Sequence, residues 1–182
     1  MNIKPFRDYD EHEVINLFAV SGASVNKGTF VSAVGSGFNF ETPSAFDDDS
    51  YLANVTSARF NVPHVVAPAA SGAASAAVVG LLLKDVRTVD ENGYPLKWDP
   101  RKAAEMDVVI SGQAAPLVKR GLFLYSGIVG TPAAGSGLAI ADAGDGSLKT
   151  VDPSASGSAG KVVAIALGPK DSSGYCLIDV KL

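Results

Sequence analysis

The side chains in this sequence whose types could do chemistry are few: His12 and His64, a single cysteine at 176, the run Asp47-Asp48-Asp49, and the stretch Asp142-Ala143-Gly144-Asp145-Gly146. A histidine works as a general base or metal ligand only when partners stand within bonding distance. His12 sits in a charged N-terminal stretch and His64 follows Pro63 in a strand-like one, so an ordinary surface or packed imidazole accounts for each. Cys176 opens the alternating run CLIDVKL, where a thiol on one face of a strand is an inert small hydrophobe. The two acidic stretches could offer oxygens to calcium, which takes about 6 to 8 of them. Neither has the EF-hand spacing, and surface turns use Asp and Gly for their backbone geometry. No G-x-x-x-x-G-K-[ST] loop occurs, and the Gly-rich loops near Gly35 and Gly135 are not placed between a strand and a helix, as a dinucleotide fingerprint requires. Asn54-Val55-Thr56 fits a glycosylation sequon but reads as a piece of strand. These residues predict no catalytic set, no cofactor and no metal site.

Composition narrows the classes further. The 182 residues are 47% hydrophobic and only 19% charged, with 19 glycines and a net charge of -4. Nucleic-acid binding depends on clustered Lys and Arg that displace counterions, so direct contact with DNA or RNA is not expected. One cysteine excludes an intrachain disulfide and any multi-cysteine metal site. The first residues, MNIKPFRDYDEHEV, contain no apolar core of a secretory signal. The longest apolar run, Ala73 to Leu83, falls short of the ~20 residues that span a bilayer. The expectation is a soluble protein folded in a reducing cytoplasm.

The elements that must position these side chains are short. Val14 to Val20 (VINLFAV) is β-branched and aromatic and predicts a first strand. Lys27-Gly28 and Arg120-Gly121 stand between apolar runs, where a glycine lets a strand reverse or bulge. Strands over Thr29 to Val34 and Leu122 to Tyr125 follow them. Gly35 to Asp49 reads as a projecting loop, and Tyr51 to Val66 contains a half-buried alternation. The mix of short strands and tight Gly/Ala/Ser loops predicts an all-β fold with at most one short helix. Asp99 as N-cap and Pro100 as first helical residue place that helix at 99–106; a rigid loop packed by Trp98 would satisfy the same residues.

Two stretches echo each other. Asp107 to Ser126 reads DVVISGQAAPLVKRGLFLYS, and Val20 to Ser32 reads VSGASVNKGTFVS. Ser21 and Gly22 align with Ser111 and Gly112, and Val25, Gly28 and Phe30 with Val118, Gly121 and Phe123. Downstream, SAAVVGLLLKD (75–85) matches GKVVAIALGPKD (160–171), pairing Val78-Val79, Leu81 and Leu83 with Val162-Val163, Ile165 and Leu167. Each follows a small-residue loop, PAASGAA or PSASGSA, and precedes a turn and a closing strand, Tyr94 to Trp98 or Tyr175 to Lys181. An offset of about 90 residues indicates a tandem domain-sized duplication, not a solenoid. The expected organisation is an N-terminal arm (1–13), a first β-unit (14–98), a junction (99–106) and a second β-unit (107–182), each unit a small β-barrel or β-tulip. The arm, with Phe6 and Tyr9, lies either on its own barrel or on a neighbour.

In the Lys/Arg-Gly-x-Phe and Val-Val-x-Leu/Ile-x-Leu pairs, LVKRGLFLYSG followed by GKVVAIALG, the sequence resembles the head decoration, or capsid cement, proteins of tailed bacteriophages. The resemblance covers most of Val20 to Leu182. It implies a virion protein made in the host cytoplasm that docks as a dimer or trimer on the exterior of the capsid. There it would bridge major capsid protein subunits against the pressure of packaged DNA. Phe6, Arg7 and Tyr9 in the arm and Lys27, Lys119 and Arg120 at the turns are the expected contacts with that partner. Deleting Met1 to Glu13 would then weaken attachment without unfolding the body. Repeated β-domains also build tail, knob and fibre-base proteins, and a carbohydrate-binding module would need a cluster of exposed aromatics.

Overall fold

The computed structural model describes residues 1–7, 10–20, 24–33, 65–71, 73–74, 77–152 and 159–182. The expected loop at 35–49, most of the 51–66 alternation, His64 and Tyr9 lie outside the described residues. The strands in chain order are Ile3–Pro5 (β1), Val14–Val20 (β2), Ser24–Val25 (β3), Phe30–Ala33 (β4), Val65–Pro68 (β5), Val78–Leu82 (β6), Asp85–Arg87 (β7), Val108–Ile110 (β8), Ala114–Val118 (β9), Arg120–Tyr125 (β10), Ile128–Val129 (β11), Gly137–Ile140 (β12), Leu148–Val151 (β13), Val162–Ala166 (β14) and Cys176–Lys181 (β15). One short α-helix, Pro100–Glu105 (α1), stands between β7 and β8. The protein is thus all-β with a single short helix among the described residues, as its turn chemistry predicts.

The same connectivity is built twice. The first sheet closes as a barrel in the order β2-β5-β4-β6-β9, so β9 pairs with both β2 and β6, and β5 returns parallel to β2. The second is a seven-stranded sheet in the order β1-β10-β15-β14-β12-β13-β11. Here β15 pairs with both β10 and β14, and β13 lies parallel to β11, the continuation of β10 after Ser126-Gly127. Even the irregularities correspond. β4 slips register against β6 between Val31 and Ser32, and β12 slips against β14 between Leu138 and Ala139. Phe30 pairs with Leu81 and Ser32 with Val78, while Gly137 pairs with Ile165 and Ala139 with Val162. The matching of Val78 with Val162 and of Leu81 with Ile165 therefore has a structural counterpart.

The other matched pair does not. Phe30 opens β4, whereas Phe123 lies in β10, and the counterpart of β10 is β2. The equivalent residues are Leu17-Phe18 and Leu122-Phe123, each followed after two further residues by Ser-Gly. Lys-Gly and Arg-Gly look alike in sequence only: Gly28 stands in a turn ahead of β4, whereas Arg120 and Gly121 lie inside β10, opposite Lys181 and Val180. The boundary moves accordingly: β9, from the expected second unit, is the closing strand of the first barrel. Tyr94 to Trp98 is no strand. Pro95 makes one isolated bridge to Val89, and Leu96–Trp98 continues as a 3-10 turn, because a proline cannot donate to a ladder.

Residues 83–113 are therefore an insertion between β6 and β9, where the second unit has only 167–175. It contributes β7 and β8, which form a small sheet with β3 in the order β3-β7-β8. Its own small core gathers Leu96, Ala103 and Ile110. Asp99 caps α1 by accepting the Lys102 N–H at 3.0 Å, with Pro100 at the first position. Trp98 does not pack this junction; it is 78% exposed.

Packing joins the two units. Phe30 and Val31, Leu81 and Leu82, and Leu117 and Val118 are all fully buried neighbours on β4, β6 and β9. Val31, Leu82 and Leu117 point into the first barrel with Phe18, Val20 and Val66. Phe30, Leu81 and Val118 point the other way, into a core with Phe123, Tyr125, Leu138, Val163 and Ile178. Strands covered on both faces need continuous apolar runs rather than alternation, which is what these pairs supply. Phe30 and Tyr125 meet edge to face, ring centroids 6.0 Å apart at 86°, a geometry that aromatic quadrupoles favour.

Tyr125 carries a testable pH signature. It is fully buried, and its hydroxyl donates to the Met1 sulfur at 3.3 Å. Burial, reinforced by Asp145, pushes its ionisation far above the ordinary value of 10.0. A group raised in the folded state stabilises the fold below its unfolded value and loses that contribution as pH rises beyond it. In an alkaline spectrophotometric titration, Tyr125 will therefore ionise only as the protein unfolds. Tyr125→Phe should abolish that delayed step, and its persistence in the variant would assign the step elsewhere.

Candidate functional site

The N-terminal segment is not a free arm. β1 pairs antiparallel with β10, Ile3 opposite Tyr125 and Pro5 opposite Phe123, and Ile3 is buried in the shared core. Asn2 adds an N–H bond to the Ser126 hydroxyl at 3.0 Å, and the Ser126 N–H donates back to the Asn2 carbonyl at 3.1 Å. As an edge strand β1 is short and carries Lys4 and Pro5, two residues that discourage further strand addition. Deletion of Met1 to Glu13 would thus strip the core as well as any contact surface, because apolar Ile3 and Met1 leave with it.

What this arrangement does achieve is to bring Arg7 into one cleft with Arg120, with Phe6 bonded to β10 and Lys119 bonded to Glu13 and Leu182. The Phe6 N–H donates to the Leu122 carbonyl at 3.0 Å, leaving its ring 58% exposed. The Lys119 N–H donates to the Glu13 carbonyl at 2.8 Å, and the Leu182 N–H to the Lys119 carbonyl at 3.1 Å. Between these segments lies a cleft of about 580 Å³ lined by Arg7, Glu13, Arg120, Leu122, Asp179 and Lys181, among others. Lys181 already pairs with Asp179 at 2.9 Å, and the Glu13 carboxylate accepts the Asp10 N–H at 3.0 Å. Among the described residues, Arg7 and Arg120 have no ion-pair partner. Two guanidinium groups whose forked donors are unmatched suit a carboxylate-bearing partner.

Lys27 stands apart. It is half-buried, its N–H donates to Asp85 Oδ1 at 2.6 Å, and the following Gly28 is tucked against Tyr125 and Leu82. The turn it was expected to present is an interior joint. Spacing could not reveal this, because the surface that covers it comes from β1, β6 and β10.

The acidic loop at 142–145 is occupied by its own neighbours. Asp142 pairs with Lys149 Nζ at 2.6 Å and accepts the Ser71 hydroxyl at 3.2 Å, and these bonds hold its carboxyl below the usual range. Asp145 accepts from the Ser147 hydroxyl and N–H, while the Asp142–Ser71 bond joins this loop of the second unit to the first. Cys176 is buried, its thiol directed at the Gly168 carbonyl at 3.1 Å, and burial raises its ionisation. Against known proteins, the chain matches no protein family and no curated relative.

Proposed function

We propose that this protein is a structural virion protein that binds the outside of a tailed-bacteriophage shell and bridges neighbouring major capsid subunits. The observation that supports it is the rigid two-lobed body: two β-units of one connectivity, fused through β4, β6 and β9, which are buried on both faces. A bridge under load transmits force only if its two ends cannot move relative to each other, and a shared close-packed core resists such motion. The Arg7–Arg120 cleft with the exposed Phe6 ring beside it is the attachment surface on this reading, an apolar anchor ringed by charge. Many copies per particle make individually weak contacts effective through avidity.

The test is co-sedimentation with DNA-free heads, followed by counting copies. Wild-type protein should bind in hundreds of copies, and Arg7→Glu with Arg120→Glu should weaken attachment by about tenfold or more, most strongly at low salt. Neither side chain has an ion-pair partner among the described residues, so the melting temperature should stay within a few degrees of the parent. Binding confined to one vertex would favour a tail or fibre-base component, and no binding to heads would overturn the proposal.

A further inference from the structure

One hairpin turn is built twice, as Asp90-Glu-Asn-Gly93-Tyr94 and Asp171-Ser-Ser-Gly174-Tyr175. In the first, the Asp90 carboxylate accepts the N–H groups of Asn92 and Tyr94, both at 2.8 Å. In the second, Asp171 accepts those of Ser173 and Tyr175, at 2.9 and 2.8 Å. Each aspartate N–H returns to the tyrosine carbonyl, at 2.9 and 2.7 Å. Identical turn chemistry therefore presents a tyrosine at the same point of both hairpins.

The two tyrosines differ in what they carry. Tyr175 is half-buried beneath the N-terminal strand: Lys4 Nζ lies 4.7 Å from its ring centroid, and Asn2 Nδ2 donates to its hydroxyl at 3.1 Å. Tyr94 is 72% exposed, with Trp98 at 78% and Val89 at 41% on the same hairpin. The backbone beneath them is anchored, since Val89 bridges to Pro95 and Leu96, between Tyr94 and Trp98, is buried with Ala103 and Ile110. The Trp98 ring already accepts a cation on one face, with Lys97 Nζ 5.1 Å from its centroid. The acids that flank the pair are engaged locally: Glu91 pairs with Lys102 at 2.6 Å, Asp90 holds the turn and Asp99 caps α1, so the cation preference rests on the rings, as the Lys4–Tyr175 contact of the twin hairpin illustrates. The chain's only tryptophan, left outside the core on a rigid support, has the character of a binding hot spot.

We propose that Tyr94 and Trp98 form a second docking face, for an extended segment of the major capsid subunit bearing Lys or Arg, held as Tyr175 holds Lys4. This rests on the shell-binding reading. It gives the insertion at 83–113 a role that the second unit lacks: the two lobes, alike in framework, engage different surfaces, one through arginines and one through aromatic rings that receive a cation.

The experiment places a photoreactive benzoylphenylalanine at position 98 of the full chain, lets it bind DNA-free heads, irradiates, and identifies the linked peptides by mass spectrometry. Cross-links to a Lys- or Arg-bearing capsid segment are expected. In parallel, Tyr94→Ser with Trp98→Ser should lower attachment about tenfold or more without changing the circular dichroism spectrum or melting temperature, as loss of exposed hot-spot rings does. Cross-links to a second copy of this chain or to a glycan would overturn the inference, as would attachment of the double variant at wild-type strength. If wild-type protein itself fails to sediment with heads, the shell-binding reading falls and takes this one with it; if wild type binds and the double variant binds equally, only this inference falls.

Discussion

Gly146→Val is expected to lower the unfolding free energy by about 3–6 kcal/mol, a large share of the ~5–15 kcal/mol that holds a typical domain. Gly146 adopts φ +73°, where an L side chain costs about 1–2 kcal/mol. A Cβ there would press directly on the Phe30 carbonyl oxygen and lie 2.6 Å from Thr29 Cγ2. Neither neighbour can yield cheaply, because the Phe30 N–H donates to the Gly146 carbonyl at 3.0 Å and Phe30 is fully buried against Tyr125. Losing that buried hydrogen bond adds about 1–3 kcal/mol. Gly93→Val supplies the control. It shares the positive φ, at +86°, but a Cβ there would meet nothing within 4 Å, so only the conformational cost of about 1–2 kcal/mol applies. Urea titrations of both variants decide the matter, and equal losses would refute the close approach of β4 to the β12–β13 turn.

The second large effect is cooperative. Cutting the chain within 99–106 should give two fragments that each lack native β structure by circular dichroism, while the intact chain unfolds in a single transition. Fragment 1–98 loses β9, and with it the fully buried Ala115, Leu117 and Val118. Truncating one such leucine to alanine typically costs about 2–5 kcal/mol, so removing the strand exceeds the stability available. Fragment 107–182 loses Ile3, Phe30, Leu81 and the rest of the core that covers Phe123 and Tyr125. It also gains β9 as an orphan apolar strand. Two separate calorimetric transitions in the intact protein, or a folded 107–182 fragment, would contradict the shared core.

Several parts of this architecture are legible in the residues themselves. β2 spans Val14–Val20, the limits its β-branched run predicts, and the Asp99-Pro100 signal marks α1 because capping is a local bond between neighbours. Val78 and Val162 match in sequence and also sit at the same bulged register. The closing strand of the first unit is not legible in this way. Tyr94 to Trp98 carries a strand's composition, but Pro95 and the buried Leu96 commit it to a turn over the insertion core, and the true closing strand waits until Ala114. The same holds for the candidate surface. Arg120 is visible at a turn, yet its meeting with Arg7 depends on β1 pairing with β10 across more than a hundred residues of chain.

The sequence by itself determined the all-β class, the short strands and the place of the one short helix near 99–106, because turn glycines, caps and apolar periods act over a few residues. Only the tertiary structure decided where one copy ends and the next begins, that β4, β6 and β9 are covered on both sides, and that the N-terminal strand belongs to the second sheet. Those outcomes follow from the burial of apolar surface, which counts area removed from water regardless of which distant strand removes it, and so leaves no signature in local spacing.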